Sequence, residues 1–283
     1  MPIKVLTPAE CRQQLIEETL RANGITPQDS PAAMILKLTG NHSVESHLNA
    51  FLTQDPIMLD QKDRCRKLAP LMDTVLITGP TGTGKELFAR ALAGSRTPFL
   101  PLNCSAINES LVESELFGHK KGAFTDAKAD REGILAAAKD GTVYLDEIDK
   151  MSDSVQAKLL RAVQEHEIRP VGSERYYRIE CRFVCSTKVP LADLVEHNKF
   201  LEDLYARISC FELHTSPLKS RPGDIDLILK EKLIAAGKLD PADDLWEIPE
   251  HWLERIYRFN VRAIESYVRN VVVFGKEAVQ NDK

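Results

Sequence analysis

The chain has 283 residues, 43% hydrophobic and 28% charged, with a formal net charge of −5; that length suffices for one large or two modest domains with a proper core. No apolar run approaches the roughly 18 residues that span a bilayer, and the start MPIKVLTPAECRQQ lacks the long apolar core of a secretory signal. No dense Lys/Arg block marks a dedicated nucleic-acid-binding domain, so none of the chain's own is expected. The six cysteines, at 11, 65, 104, 181, 185 and 210, form no C-x-x-C pair. They read as reduced thiols of a cytoplasmic protein rather than as disulfides or zinc ligands.

Residues 1–55 read as a helical N-terminal segment of unknown role. Thr7-Pro8-Ala9-Glu10 has the form of a capping box with proline at the first helical position, and Gly24 is a plausible stop. Further helices are expected over Pro31–Leu38 and Val44–Leu52. Two roles stay open: a prefix packed on the next domain, or a regulatory or oligomerisation segment.

Residues 56–216 alternate strand and helix, as a parallel sheet with crossover helices requires. Strands are expected at Val75–Thr78, Phe99–Leu102, Thr142–Leu145, Arg182–Ser186 and Phe211–His214. Val155, Leu159, Leu160 and Val163 repeat at helical spacing, and Ile168–Ile179 reads as a hairpin insertion. After Pro217 the pattern is helical only. Asp224–Ala236 and Val261–Glu277 are clearest, giving a small C-terminal helical lid over 217–283.

The first expected strand runs into Gly79-Pro80-Thr81-Gly82-Thr83-Gly84-Lys85-Glu86-Leu87. Glycines let backbone N–H groups approach an anion, and the helix that follows points its positive end at the same place. Lys85 adds a mobile charge for β- and γ-phosphates. Only Glu86 departs from the G-x-x-x-x-G-K-[ST] pattern, where a hydroxyl residue is usual. About sixty residues on, Thr142-Val143-Tyr144-Leu145 ends in Asp146-Glu147, an apolar strand delivering two carboxylates. Such a pair suits Mg²⁺ binding at Asp146 and polarisation of an attacking water by Glu147.

With these motifs in hand, the chain resembles the central AAA+ domain of bacterial enhancer-binding activators, ATPases that remodel RNA polymerase carrying sigma-54. The resemblance runs over about 74–272. It rests on Gly82-Thr83-Gly84-Lys85-Glu86, Leu102-Asn103-Cys104-Ser105-Ala106-Ile107 and Glu113-Ser114-Glu115-Leu116-Phe117-Gly118-His119. Gly122-Ala123-Phe124-Thr125-Asp126-Ala127 and Val155-Gln156-Ala157-Lys158-Leu159-Leu160-Arg161 complete it. That family also carries Glu after the loop lysine, so Glu86 becomes a family mark, with Asp146 and Glu86 as the metal-side carboxylates.

The resemblance implies an ATP-hydrolysing, Mg²⁺-dependent ring, hexameric in the family, with an AAA+ α/β core and a helical lid. Phe124 and Thr125 match the loop pair that engages the sigma factor, so the sigma-54 RNA polymerase holoenzyme is the implied partner. Asn103 matches the asparagine that pairs with the catalytic glutamate, Thr187 a sensor threonine, and Arg262 the lid arginine that contacts nucleotide. Arg207 matches an arginine that reaches the neighbouring subunit's ATP. The departures are Asp126 for glycine in the loop, Lys188 for the sensor asparagine, Leu201 for a first trans arginine, and Tyr257-Arg258-Phe259 for Trp-Pro-Gly before the lid helix. They favour the alternative of a nucleotide-binding relative that modulates a partner activator. The family's usual DNA-reading module is not recognisable, which leaves three readings open: an excised or degenerate relative, action from solution, or recruitment of a separate DNA-binding partner.

Overall fold

The computed structural model describes residues 44–105, 109–124 and 127–281. The helices expected before residue 44 lie outside that range, as do Thr125 and Asp126. Among the described residues no helix is long and apolar enough to cross a membrane.

Five strands form the central sheet: β1 (Val75–Thr78), β2 (Phe99–Asn103), β5 (Thr142–Asp146), β8 (Arg182–Thr187) and β9 (Phe211–His214). They lie in the order β2-β5-β8-β1-β9, every neighbour parallel. Two short antiparallel pairs stand apart: β3 (Gly118–His119) with β4 (Arg131–Glu132), and β6 (Glu167–Ile168) with β7 (Tyr177–Arg178). The β6–β7 pair is the hairpin expected in the sequence. This is the α/β core anticipated for an AAA+ protein.

Alternation along the strands decides what each face buries. Leu76, Val143, Leu145, Phe183 and Cys185 enter one cluster with the helix Asp153–Glu165. Val75, Ile77, Tyr144, Val184 and Leu213 enter the other, against the helices Pro56–Leu68 and Lys85–Ala93. Phe88 and Leu92 are fully buried there, each contributing about 2 kcal/mol of apolar transfer. The helix Pro56–Leu68 was not anticipated, although its start is plain in hindsight. Asp55 caps it by accepting from the Met58 N–H at 2.9 Å, and Pro56 opens its first turn.

Residues 44–50 form a helix whose Val44 and Leu48, with Phe51 just beyond, pack into the second cluster. There is thus no break in packing at residue 55. The expected C-terminal helix Val261–Glu277 is two: Val261–Phe274 and Lys276–Asn281, divided at Gly275 (φ +86). Between it and Gly223–Ala235 lies a further helix, Glu250–Phe259. These elements build a third cluster around Leu229, Trp252, Ile264 and Tyr267.

Arg182 is fully buried at the start of β8. Its guanidinium donates to the carbonyls of Leu68 (2.9 Å), Ala69 (3.0 Å), Asp73 and Leu92. It therefore satisfies the C-terminal ends of two helices, and burial lowers its pKa to about 10. Cys65, Cys104, Cys181 and Cys185 are buried free thiols, and Cys210 is exposed. Burial raises Cys65, Cys181 and Cys185 to about 12.

Candidate functional site

Because the sheet is wholly parallel, its carboxyl edge collects one strand end after another: Asn103 beside Asp146, then Thr187, Thr78 and His214. Open α/β sheets bind ligands along that edge. Here a cleft of about 650 Å³ opens, lined by the 81–87 loop, Asp146, Glu147 and Arg262, with Phe51 and Arg221 on its walls.

The loop 79–84 is held from behind by buried polar groups. Thr83 Oγ1 donates to the Pro80 carbonyl (2.8 Å) and lies 2.6 Å from Thr215 Oγ1. Gly79 N–H donates to the Thr187 carbonyl at 3.2 Å. Gly82 has φ +76, and a β-carbon there would strike the Phe259 carbonyl. At Gly84 (φ +101) it would meet the Phe51 ring at 2.7 Å. Both positions therefore demand glycine on two counts.

Lys85 opens the helix Lys85–Ala93 and folds over the loop, donating to the carbonyls of Gly79 (2.7 Å) and Pro80 (3.0 Å). Burial lowers its pKa, Asp146 and Glu147 pull it back up, and Arg262 and Lys188 push it down. Those four charges thus lie within electrostatic reach of Lys85. Thr81 and Glu86 complete the loop's contribution to the cleft; Leu87 lines it as well.

The Asp146 carboxylate accepts on Oδ1 from the Ser186 hydroxyl, from the Glu147 N–H (3.1 Å) and from the Tyr144 hydroxyl (3.2 Å). Glu147 follows in a left-handed conformation (φ 55, ψ 48), which turns its carboxylate away from the strand direction. Lys188 Nζ lies 3.2 Å from Glu147 Oε1. The Ser105 hydroxyl and then Lys188 hold the Glu147 carboxyl below the ordinary carboxylate range, against the opposing effect of burial. Asn103 reaches this group indirectly: its Oδ1 accepts from the Ser105 N–H (2.9 Å) and lies 2.7 Å from the Ser105 hydroxyl, competing with Glu147 for that one proton.

The donor set suits a hydrated divalent cation at Asp146, whose Oδ2 is spared by these bonds; magnesium keeps most of its waters and takes one or two carboxylates. Glu86 fits less well. Its Oε1 is engaged by Arg90 one turn along the helix (3.0 and 2.7 Å).

Other anticipated residues fall elsewhere. The Thr187 hydroxyl faces Asp149 (3.0 Å) and the Val189 carbonyl (2.9 Å). Arg207 is exposed on the helix Glu202–Ile208, away from the cleft lining, and forms no ion pair among the described residues. Leu201, the N-cap of that helix, packs against the core and donates its N–H to Gln156 Oε1 (2.8 Å). Phe124 is 39% exposed, its ring 4.9 Å from that of His119 in a T-shaped contact. Its loop is closed by Gly122 N–H to the Ala127 carbonyl (2.8 Å) and tied to the β6–β7 hairpin by Lys120 N–H to the Val171 carbonyl (2.9 Å).

Sequence reasoning passed over the residues that join the loop to the lid. Asn260, buried, donates to the Thr81 carbonyl (3.0 Å) and accepts from the Leu218 N–H (2.7 Å). Val261 N–H donates to the Gly82 carbonyl at 3.1 Å. Arg221 pairs with Asp224 (2.9 Å), both almost fully buried, lies over the Phe51 ring and donates to the Thr83 carbonyl (3.4 Å). Asp224 in turn accepts from Thr53 Oγ1 (2.6 Å) and Gln54 N–H (2.8 Å). The partners lie about 170 residues apart in sequence, and no local pattern announces them.

Residues 51–214 match the Sigma-54 interaction domain family. The chain is 44% identical over 244 residues to the Nif-specific regulatory protein of Azospirillum brasilense, covering 83% of this chain and 39% of that protein. To the response regulator protein PilR of Pseudomonas aeruginosa it is 39% identical over 243 residues, covering 83% and 54%. The chain thus spans about half or less of the length of these relatives. Among solved structures, NtrX from Brucella abortus in complex with ATP superposes with a TM-score of 0.70 at 23% identity, over 91% of this chain and 60% of that one. The closed state of Hsp104 does so with a TM-score of 0.59 at 16% identity, over 92% and 51%. Both likenesses concern the fold.

Proposed function

We propose that this chain, which belongs to the Sigma-54 interaction domain family, hydrolyses ATP in a ring of identical subunits and uses the cycle to remodel RNA polymerase holoenzyme carrying sigma-54. The observation that carries the reading is the meeting of Lys85, Asp146, Glu147 and Arg262 around one cleft at the carboxyl edge of the sheet. Loop N–H groups and the N-terminus of the helix Lys85–Ala93 receive the phosphates, and Lys85 exchanges the Gly79 and Pro80 carbonyls for phosphate oxygens. Asp146 would hold Mg²⁺, which would offset phosphate charge. Glu147 orients and polarises the attacking water. Arg262, at the start of the lid helix, senses the occupied cleft from the opposite wall.

Across the subunit boundary, Arg207 is the trans arginine, and its exposure in the single chain suits that role. Phe124, with Thr125 beside it, is the contact offered to the sigma factor: an exposed aromatic on a loop closed by turn hydrogen bonds. Steady-state ATP turnover as a function of protein concentration, with Glu147→Gln as the control, tests the enzyme. Open-complex formation on a sigma-54 promoter tests the client. Turnover that rises with concentration and vanishes in the control supports the reading; turnover equal to the control at every concentration sinks it.

A second reading is a nucleotide-binding relative that tunes a partner activator. It draws on Leu201, which packs against the core where the family places an arginine. An active chain that inhibits a full-length activator in mixed rings while opening no promoter itself would favour it.

A further inference from the structure

Along β5, Tyr144 and Asp146 are two residues apart, so strand alternation sends both side chains to the same face. Parallel pairing sets Leu145 against Cys185 of β8, which brings Ser186 alongside Asp146. Tyr144 and Ser186 are buried, at 3% and 0% exposure. Their hydroxyls meet at 3.0 Å, and both turn to one oxygen, Asp146 Oδ1: the Tyr144 hydroxyl at 3.2 Å, the Ser186 hydroxyl closer still. The serine proton goes to the carboxylate, while the tyrosine has one proton to share between two acceptors. The Glu147 N–H donates to the same oxygen at 3.1 Å. Burial, and then the Asp146 charge, raise the Tyr144 pKa well above the ordinary phenol range, so its hydroxyl stays a donor. The aim of that hydroxyl is fixed by its ring, which stacks on Phe99 at 5.9 Å with 21° between the planes. A strand-end aspartate needs none of this to carry a negative charge. What the two hydroxyls add is asymmetry: donors crowd Oδ1, and these bonds spare Oδ2.

We propose that Tyr144 and Ser186 are positioning residues that make Asp146 a one-oxygen metal ligand and thereby favour Mg²⁺ over Ca²⁺ as the nucleotide's cation. The inference rests on the nucleotide-site reading and deepens it by naming what selects the cation. Mg²⁺ is small, demands octahedral geometry and keeps several waters, so one carboxylate oxygen beside phosphate oxygens satisfies it. Ca²⁺ takes roughly six to eight oxygens and gains from a carboxylate that grips with both of its own. The donors around Oδ1 oppose that second contact, because a cation there has to displace hydrogens already directed at the same lone pairs. Partners behind a metal-ligating carboxylate set its orientation and its affinity in this way.

The test is equilibrium binding of a fluorescent, non-hydrolysable ATP analogue in excess Mg²⁺, in excess Ca²⁺ and in EDTA. It compares the unsubstituted chain with Tyr144→Phe, Ser186→Ala and the double variant, each substitution removing one oxygen. The unsubstituted chain is expected to bind the Mg²⁺ form more tightly than the Ca²⁺ form. In the double variant that preference shrinks by about tenfold, each single variant shifts the same way by less, and binding in EDTA stays within about twofold. A merely structural role would weaken binding under all three conditions together. Equal losses under all three, a preference unchanged in the double variant, or no preference in the unsubstituted chain overturns the selection while leaving the nucleotide site standing. Failure of the unsubstituted chain to bind the analogue under any condition overturns both.

Discussion

The phosphate loop and the Phe124 loop are both turns with glycine at a positive φ, yet they are built on opposite principles. Behind the first stand the Thr83–Thr215 hydroxyl contact, the Asn260 amide on Thr81, and the Arg221–Asp224 pair reaching from the Thr83 carbonyl to Thr53 and Gln54. Behind the second, among the described residues, stand main-chain turn bonds, the exposed Lys120–Asp130 ion pair (2.7 Å) with Lys121 N–H on the same carboxylate (2.8 Å), and an edge-to-face contact with His119. Gly82 and Gly84 are hemmed in by Phe259 and Phe51, whereas a β-carbon on Gly122 would meet nothing within 4 Å. Rigid support suits a loop that must present N–H groups to phosphate in one geometry. Support from main-chain turns and exposed side chains suits the partner-contacting role proposed for the Phe124 loop.

The contrast is open to direct attack. Replacing Arg221 by Met leaves the Asp224 carboxylate without its cation in a nearly water-free site, with Thr53 and Gln54 still donating to it. Breaking a buried pair from one side costs about 3–5 kcal/mol, so urea unfolding of Arg221→Met is expected to shift by that amount. Glu147→Gln leaves packing alone but removes the proposed base, and ATP turnover is expected to fall by about a hundredfold to ten-thousandfold with little change in the unfolding midpoint. Asn260→Ala cuts the Thr81 and Leu218 bonds together. A loss of about 2 kcal/mol in the same urea experiment is expected, with weaker nucleotide binding because the lid is no longer fastened to the loop. Phe124→Ala is the smallest in stability, within about 0.5 kcal/mol, while association with sigma-54 holoenzyme, read by native gel shift, is expected to be lost. A Phe124→Ala chain that unfolds as easily as Arg221→Met would show that the two loops are supported alike.

The strands of the sheet were legible in the sequence because each is a short apolar run bounded by turn residues, and β1 and β9 agree to the residue. The ends of β2, β5 and β8 each run one residue further, onto Asn103, Asp146 and Thr187, because register with a neighbour extends pairing to polar side chains that carry no strand signal. The helix Glu250–Phe259 was missed: its buried residues, Trp252 and Ile256, are sparse among charged ones. Lys85, Asp146 and Glu147 could be found because their motifs are local. Lys188 could be named as a departure, but its partner could not, since 41 residues separate the two. Ser105, Arg221 and Asn260 act through folding alone, joining segments that only the three-dimensional structure sets side by side.

One feature of the core bears on how the molecule can be handled. Burial raises the pKa of the four buried thiols, Cys65, Cys104, Cys181 and Cys185, and leaves them little solvent contact, which slows alkylation and oxidation at neutral pH. Cys210 is exposed, its sulfur near the carbonyls of Ala206 and Arg207. With Cys11 replaced, a maleimide dye would report from a place three residues beyond the arginine assigned to the subunit boundary. The protein thus carries a natural attachment point from which the proposed assembly of subunits can be tested by fluorescence.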